Sequence, residues 1–289
     1  MPTKFFSIVV VSLNSGERLN NTLQSILNQT FTDYEVIIKD GGSKDGSLDF
    51  LAKGVLLGKY PKVHLIQETD KSIYDGMNQA VTYVSGRYVQ FLNCGDLFYD
   101  ENVLQKTAEY IRKYFNDNRV QKALQGDAGD EAFKGRPMIF YGNQYNLIQK
   151  SIVTSAPQMN DFACFRNVPC HQVCFYDSRL FEKRAYLTQY TVRADYEHFL
   201  HCIYEEKAET KAMPIVVCMY EGGGYSETRE NRKKSAMQHK EITDKYLGKK
   251  AMKYRWIMRL SLSGLRTKIA ESPVLSRPYN ALKSLLYKR

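Results

Sequence analysis

The chain has 289 residues, enough for one large or two small domains around an apolar interior. Hydrophobic content of 43% and charged content of 25% are ordinary for a globular protein, and six cysteines without a CxxC pair exclude a disulfide scaffold, so a reducing, cytoplasmic setting is expected. The net charge of +10 sits at one end: residues 249–289 hold eleven Lys/Arg and one acid, Glu271, leaving thirty bases and thirty acids before them.

In chain order, Ser7–Ser12 reads as a β-branched strand stopping at the Asn14-Ser15-Gly16 turn. Only Lys4 charges its front and no small-residue cleavage site follows, so a buried first strand is expected rather than a signal peptide. Glu17–Asn28 reads as an amphipathic helix with Leu19, Leu23, Ile26 and Leu27 on one face. Tyr34–Lys39 is a short apolar run ending at Asp40-Gly41-Gly42-Ser43, and Leu48–Leu56 reads as a helix. Val63–Gln67 is a third strand, Ile73–Val84 a helix and Tyr88–Leu92 a fourth strand ending at Asn93-Cys94-Gly95-Asp96. Residues 116–137 are polar, with Gly126 and Gly129, and read as a loop or insertion. Met138–Tyr141 and Ile215–Tyr220 read as strands, Phe175–Phe181 and Tyr196–Tyr204 as elements flanking a second site region. From about Ser235 the chain reads as helical and basic.

Strands alternating with helices predict an α/β domain, a mostly parallel, Rossmann-like sheet with helices on both faces. Ligands bind such sheets beyond the carboxyl ends of the strands. Asp40, Asp70 and Asp96 all follow strand ends and are expected to line one crevice.

Five segments stand in order: Ser7-Ile-Val-Val-Val-Ser-Leu-Asn14, Ile38-Lys-Asp-Gly-Gly-Ser-Lys-Asp-Gly46, Asp70-Lys-Ser-Ile-Tyr-Asp-Gly-Met-Asn78, Gly86-Arg-Tyr-Val-Gln-Phe-Leu-Asn-Cys-Gly-Asp96 and Ala194-Asp-Tyr-Glu197. Together they resemble the inverting family-2 glycosyltransferases of the GT-A fold, over residues 5–226. The resemblance implies transfer of a sugar from a nucleotide diphosphate sugar to an acceptor hydroxyl. It implies a catalytic domain over residues 1–230, its nucleotide-sugar half at 1–115 and its acceptor and catalytic-base half at 138–230, followed by a tail at 231–289.

Residue roles follow from the same likeness. Ser12, Asn14, Asp40, Gly41, Asp70, Lys71, Asp75, Asn78, Asn93 and Gly95 match the donor-nucleotide segments, with Asp40 accepting from the base. Gly41 lets the backbone approach a ligand, and Lys71 offers a point charge to the diphosphate. Lys71, Tyr74, Asp75 and Asn78 share helical spacing; a solvated face is the alternative, with Asp75 fixing Asn78 or a loop backbone. Asp45 reads as a turn or cap residue. A leaving diphosphate calls for a hard cation held by oxygen ligands, so Mn2+ or Mg2+ is expected on Asp96. Asn93 and Gly95 stand where other members often carry Asp; a cap before Leu97 is the plain alternative for Asp96.

Inversion needs a general base, and Asp195 matches the family's catalytic aspartate, with a raised pKa if buried beside other carboxylates. Glu197 is its rival, and a helix cap is the structural alternative for Asp195. His171, Glu197 and Arg229 are set on the acceptor or diphosphate side, His171 equally as a structural histidine. Gly222–Gly224 reads as a hinge for a loop over the phosphates or as a linker. A zinc site at Cys170, His171 and Cys174 lacks ligand spacing, and His198 with His201 lacks evident acidic partners.

In the tail, Met252, Trp256, Ile257, Leu260, Leu265 and Ile269 alternate with bases, and Leu282, Leu285 and Leu286 follow Pro278. This patterning predicts a basic amphipathic helix on an anionic membrane surface, which would bring the enzyme to a glycan or lipid-linked acceptor. A helix packed on the catalytic domain and a dimer contact are the alternatives. The G-x-G-x-x-G and P-loop signatures are absent, which argues against an oxidoreductase or P-loop enzyme. A nucleic-acid-binding protein, resting on the tail alone, and an inactive nucleotide-sugar-binding module are the rival classes. Binding of nucleic acid is not expected.

Overall fold

Seven consecutive buried residues, Tyr34–Asp40, make strand β2, and such an unbroken buried run belongs to a parallel strand covered on both faces. The computed structural model of the protein describes residues 2–124, 135–222 and 228–260. β1 (Lys4–Ser12) pairs with β2 on one side and with β4 (Gly86–Phe91) on the other, both parallel; β3 (Val63–Gln67) extends the sheet beyond β2. The order β3-β2-β1-β4 thus reverses direction between β1 and β4, which opens a crevice at their carboxyl ends. β1 is the buried first strand that the residues predicted, and it begins three residues earlier, at Lys4.

Helices cover this half for local reasons. α1 (Glu17–Leu27) buries Leu19, Thr22, Leu23 and Ile26, positions on one face at i, i+3, i+4 and i+7. Burying each of the aliphatic three is worth about 1.5–3 kcal/mol. α2 spans Asp49–Leu56. α3 (Ile73–Val81) starts at an N-cap, where Ser72 accepts a 3.2 Å bond from the Asp75 amide. It stops at Val81, three residues short of the predicted end, and Lys71 lies before its cap. Lys71 therefore does not share the helix face of Tyr74, Asp75 and Asn78.

The second half is antiparallel where it meets the first. β8 (Cys174–Asp177) pairs antiparallel with β4 and with β6 (Met138–Asn146). β9 (Glu209–Tyr220) runs parallel to β6 and carries the two-residue β5 (Leu97–Phe98) on its other edge. β7 (Ser151–Val153) forms a hairpin with β6. α5 (Asp161–Arg166), α6 (Arg179–Lys183) and α7 (Ala194–Tyr204) cover this half.

One expectation is overturned: residues 116–124 are helix, not loop, because α4 runs over Val103–Leu124. Val103, Leu104, Thr107, Ala108 and Ile111 repeat at helical spacing and are buried, and no Gly or Pro interrupts the segment before Gly126. Two compact units result, Met1–His239 and a second from Lys240 on; α8 (Arg229–Leu247) spans the division and α9 covers Lys249–Leu260.

Candidate active site

The site grows from the carboxyl ends of β1, β2 and β4. Ser12, last in β1, stands in register with Asp40, last in β2, and its carbonyl accepts from the Gly41 amide at 2.9 Å. The Ser12 hydroxyl meets that of Ser15 at 2.7 Å. Asp40 is fully buried, and Oδ2 accepts from the Gly42 and Ser43 amides at 2.9 and 2.8 Å. Oδ1 accepts only the Ser43 hydroxyl, at 2.5 Å, which leaves it acceptor capacity. Asn14, at φ 48°, clips the same turn: its amide donates to Ser43 Oγ and its side chain accepts from the Lys44 amide. Asp45 accepts from the Gly16 and Ser47 amides and is the turn residue expected.

Asp70 is tied to Asp40 through Lys39, a buried residue with no role legible from the motifs. Lys39 is wholly buried, and its Nζ donates to the carbonyls of Asp40 and Glu68 and, at 3.1 Å, to Asp70 Oδ2. A lysine inside an apolar strand run was the available signal, since a buried ammonium requires such partners. Gly41 and Gly76 make room for this carboxylate: a Cβ on Gly41 would lie 2.6 Å from Asp70 Oδ2, and one on Gly76 3.0 Å away.

Two donor-side expectations change. Asp75 fixes a loop backbone, accepting from the Lys71 amide at 2.8 Å. Asn78 spends both ends of its amide on the backbone of Tyr186, at 2.8 and 2.9 Å, so it positions that loop instead of facing a ligand. The Lys71 side chain is exposed.

The turn after β4 carries Asn93, Cys94, Gly95 and Asp96. Thr22 of α1 clamps it, donating to the Asp96 carbonyl and accepting from the Gly95 amide. Gly95 has φ 100°, and a Cβ there would sit 2.3 Å from Glu221 Oε2. Burial pushes the Cys94 thiol up to about 11 against hydrogen bonds from Ser12 and Ser15. The β5–β9 ladder sets Leu97 opposite Met219, which brings the Glu221 amide to Asp96 Oδ1 at 2.8 Å. Gln172 donates to Asp96 Oδ2. Asp96 is 4% exposed; its burial raises the pKa to about 6, beyond what the Glu221 amide and the nearby His171 and Arg18 charges offset. It precedes a strand, so it is no helix cap.

Asp195 comes from the other half. It is the second residue of α7, whose N-cap is Arg193, so the capping alternative does not hold. Oδ2 lies 3.2 Å from His171 Nδ1 and Oδ1 lies 2.9 Å from the Tyr74 hydroxyl. His171 Nε2 reaches Asn93 Oδ1 at 3.4 Å, so one chain of contacts runs from Asp195 to the Asp96 turn. The expected pKa rise is reversed. Burial pushes Asp195 up, but the hydrogen bond and charge of His171 and the Tyr74 hydroxyl outweigh it, and the pKa is lowered. Among the described residues its side-chain partners are His171 and Tyr74, and no carboxylate pairs with it.

Glu197 is fully buried and paired with Arg184 at 2.9 Å; enclosed in this way it does not compete as base. Arg229 opens α8 with an exposed side chain. Residues 223–227, with most of the proposed glycine hinge, lie outside the described residues. A cavity of about 980 Å³ opens on Asp195, lined by β7, α5, the 166–170 segment and the start of α8; Asp40 and Asp96 lie outside it.

No group of three or more His, Cys, Asp or Glu clusters among the described residues. The Cys170 and Cys174 thiols bond within their own segment, and all six cysteines are free. His201 meets Glu205 and Glu206, while His198 is stacked on Phe181. Among the described residues, the oxygen donors that suit a hard cation are the desolvated Asp96 with Glu221 close enough to raise its pKa further. Tyr74, Gln172, Glu221 and Arg18 complete this neighbourhood; none was assigned a site role from sequence, because each acts across the fold.

The sequence pattern of the family described as Glycosyl transferase family 2 matches residues 7–166. A PGL/p-HBAD biosynthesis glycosyltransferase of Mycobacterium bovis is 30% identical over 231 residues, 79% of this chain and 81% of that one. Among solved structures, the mannosyltransferase PcManGT from Pyrobaculum calidifontis, in complex with GDP-Man and Mn2+, has a TM-score of 0.62 at 14% identity, covering 100% of this chain and 83% of that one. S. aureus TarS has a TM-score of 0.56 at 14% identity; the match covers 97% of this chain but only 42% of TarS. Its fragment 1–349 was solved with UDP-GlcNAc.

Proposed function

The chain belongs to glycosyl transferase family 2 and has the GT-A fold, and on that premise we propose that it moves a sugar, with inversion, from a nucleoside diphosphate sugar to a glycan or lipid-linked acceptor hydroxyl. The observation that carries the reading is the line of contacts from Asp195 through His171 and Asn93 to the Asp96 turn. A base and a diphosphate site must lie on opposite sides of one anomeric carbon, and this line spans that gap.

Asp195 takes the acceptor proton as its oxygen attacks. His171 and Tyr74 orient the carboxylate by bonding one oxygen each. The lowered pKa keeps it ionised, so it enters each turnover able to accept. Asp40 receives the donor base on Oδ1, the Ser43 hydroxyl giving way. Ser12, Asn14, Gly41 and Asp70 shape the nucleotide floor, and Lys71 supplies an exposed charge to the phosphates. Asp96 and Glu221 would hold Mn2+ or Mg2+, which when bound neutralises charge gathering on the departing diphosphate.

α9 supports attachment to an anionic membrane surface. Met252, Trp256, Ile257 and Leu260 are 55%, 58%, 40% and 78% exposed beside Lys249, Lys253 and Arg259. Among the described residues no helix is long and apolar enough to cross a membrane. The rest of the tail, residues 261–289, lies outside the described residues.

A panel of UDP- and GDP-sugars, screened by thermal shift with and without Mn2+, tests the core of this reading. A donor at a hundred times its Kd adds about 2.7 kcal/mol to stability, which a melting curve resolves. One donor should raise the Tm, more so with metal, and Asp195→Asn should bind it without transferring it. A panel with no stabilising donor, or an Asp195→Asn enzyme turning over like wild type, rejects the proposal.

A further inference from the structure

We infer that the cleft beside Asp195 is built for an acceptor carrying an anionic group, a phosphate or a carboxylate, next to the hydroxyl that reacts; this rests on the transfer function proposed above. The lining of the 980 Å³ cavity includes three arginines, Arg166, Arg193 and Arg232, and among the described residues its only acid is Asp195 itself. Three guanidinium groups against one carboxylate leave an excess of two positive charges in a concave space, where field lines concentrate.

Several arginines elsewhere are neutralised by carboxylates: Arg87 and Arg179 meet Asp177, Arg184 meets Glu197, Arg18 meets Glu221 and Arg255 meets Asp244. None of the three in the cleft has a carboxylate partner among the described residues. Arg193 is nevertheless held firmly. Its Nε donates to Ser235 Oγ at 2.8 Å, Nη1 to Asn167 Oδ1 at 3.2 Å, and its guanidinium lies 5.3 Å from the Tyr196 ring. Those partners are neutral, so they fix the group and leave its charge uncompensated. Arg166, at the end of α5, and Arg232, in the first turn of α8, are exposed toward solvent and face the same cavity.

A guanidinium fork matches phosphate and carboxylate oxygens in pairs, which a neutral sugar ring cannot use. Neutral glycans instead need flat aromatic surface, and among the described residues Phe162 and Tyr196 are the cavity's only aromatic lining. Gln158, Asn160 and Asn167 supply the polar contacts that a sugar's hydroxyls take. Asp195 at the inner end sets the direction: the reacting hydroxyl points inward and the anion lies among the arginines.

The test uses the full chain with its donor site filled by saturating nucleoside diphosphate and Mn2+, so that phosphate probes cannot enter there. Binding of three probes is then measured by calorimetry: methyl glucoside, its 6-phosphate and methyl glucuronide. At least one charged probe should bind about tenfold or more tightly than the neutral parent. The Arg166→Gln/Arg232→Gln double variant should lose that preference while its melting temperature and donor affinity stay unchanged. Comparing the phosphate with the uronate identifies the source of the anion. Equal affinity for charged and neutral probes, no binding of any probe, or a preference that survives in the double variant overturns the inference. Failure of wild type to bind any sugar nucleotide would instead sink the transfer function, whatever the anions do.

Discussion

His171 Nδ1 lies 3.2 Å from Asp195 Oδ2, and the two residues come from a turn before β8 and from the first turn of α7. This contact decides the ionisation of Asp195, the proposed base. Without it, burial pushes the Asp195 pKa up against only the Tyr74 hydroxyl and the Tyr196 amide. His171→Ala should therefore move the acidic limb of the kcat/KM profile to higher pH and lower kcat about tenfold or more. Tyr74→Phe removes the other hydrogen bond and should move the limb the same way by less. Profiles that coincide with wild type in both variants would contradict the assignment of Asp195 as base.

Asp96 carries the opposite shift, and its sign sets a stability test. Its folded pKa of about 6 exceeds the ordinary carboxylate value, so the folded state binds the proton more tightly than the unfolded chain. That contribution is complete below pH 4 and is lost as pH rises through 6. At pH 7 the wild type ionises this buried acid at a cost of about 1–3 kcal/mol. Asp96→Asn should raise the Tm at pH 7, lose the gain below pH 4, and abolish metal-dependent transfer. In wild type, added Mn2+ should shift the acidic limb downward, because cation and proton compete for one carboxylate. An Asp96→Asn protein that melts lower at pH 7 would refute the burial account.

Gly41 guards the pair formed by Lys39 and Asp70. A methyl group at Gly41 would drive Asp70 Oδ2 out of its place 2.6 Å away and off the buried ammonium. Gly41→Ala should cost about 1–3 kcal/mol by overpacking and weaken donor binding. Lys39→Met should cost about 3–5 kcal/mol, since it strands a half-enclosed carboxylate. Urea denaturation measures both; a change under 0.5 kcal/mol in either would show that the pair is slack.

Trp256 is the chain's only tryptophan and lies exposed on α9. Anionic vesicles should shift its emission to the blue, neutral vesicles should not, and salt should reverse the shift as charge is screened. An emission maximum indifferent to anionic lipid would remove the membrane from the proposal.

The sequence by itself determined what is local. The β-branched run Ile8–Val11, the heptad-like spacing of Leu19, Leu23 and Ile26 and the acids closing β2 and β4 follow from contacts within a few residues, so α/β alternation and the donor rim were legible. The α4 helix beyond residue 115 was hidden by polar composition; it continues a helix whose buried face, Val103 to Ile111, lies earlier in the chain. Only the tertiary structure decided the chemistry. Tyr74 and Asp195 are 121 residues apart, and Asp96 and Glu221 are 125 apart. Their meeting depends on β8 inserting antiparallel beside β4 and on β9 pairing with β5. A pKa belongs to such a neighbourhood: one carboxylate, Asp195, is lowered beside His171 and another, Asp96, is raised by burial, and no reading of the residue alone distinguishes the two.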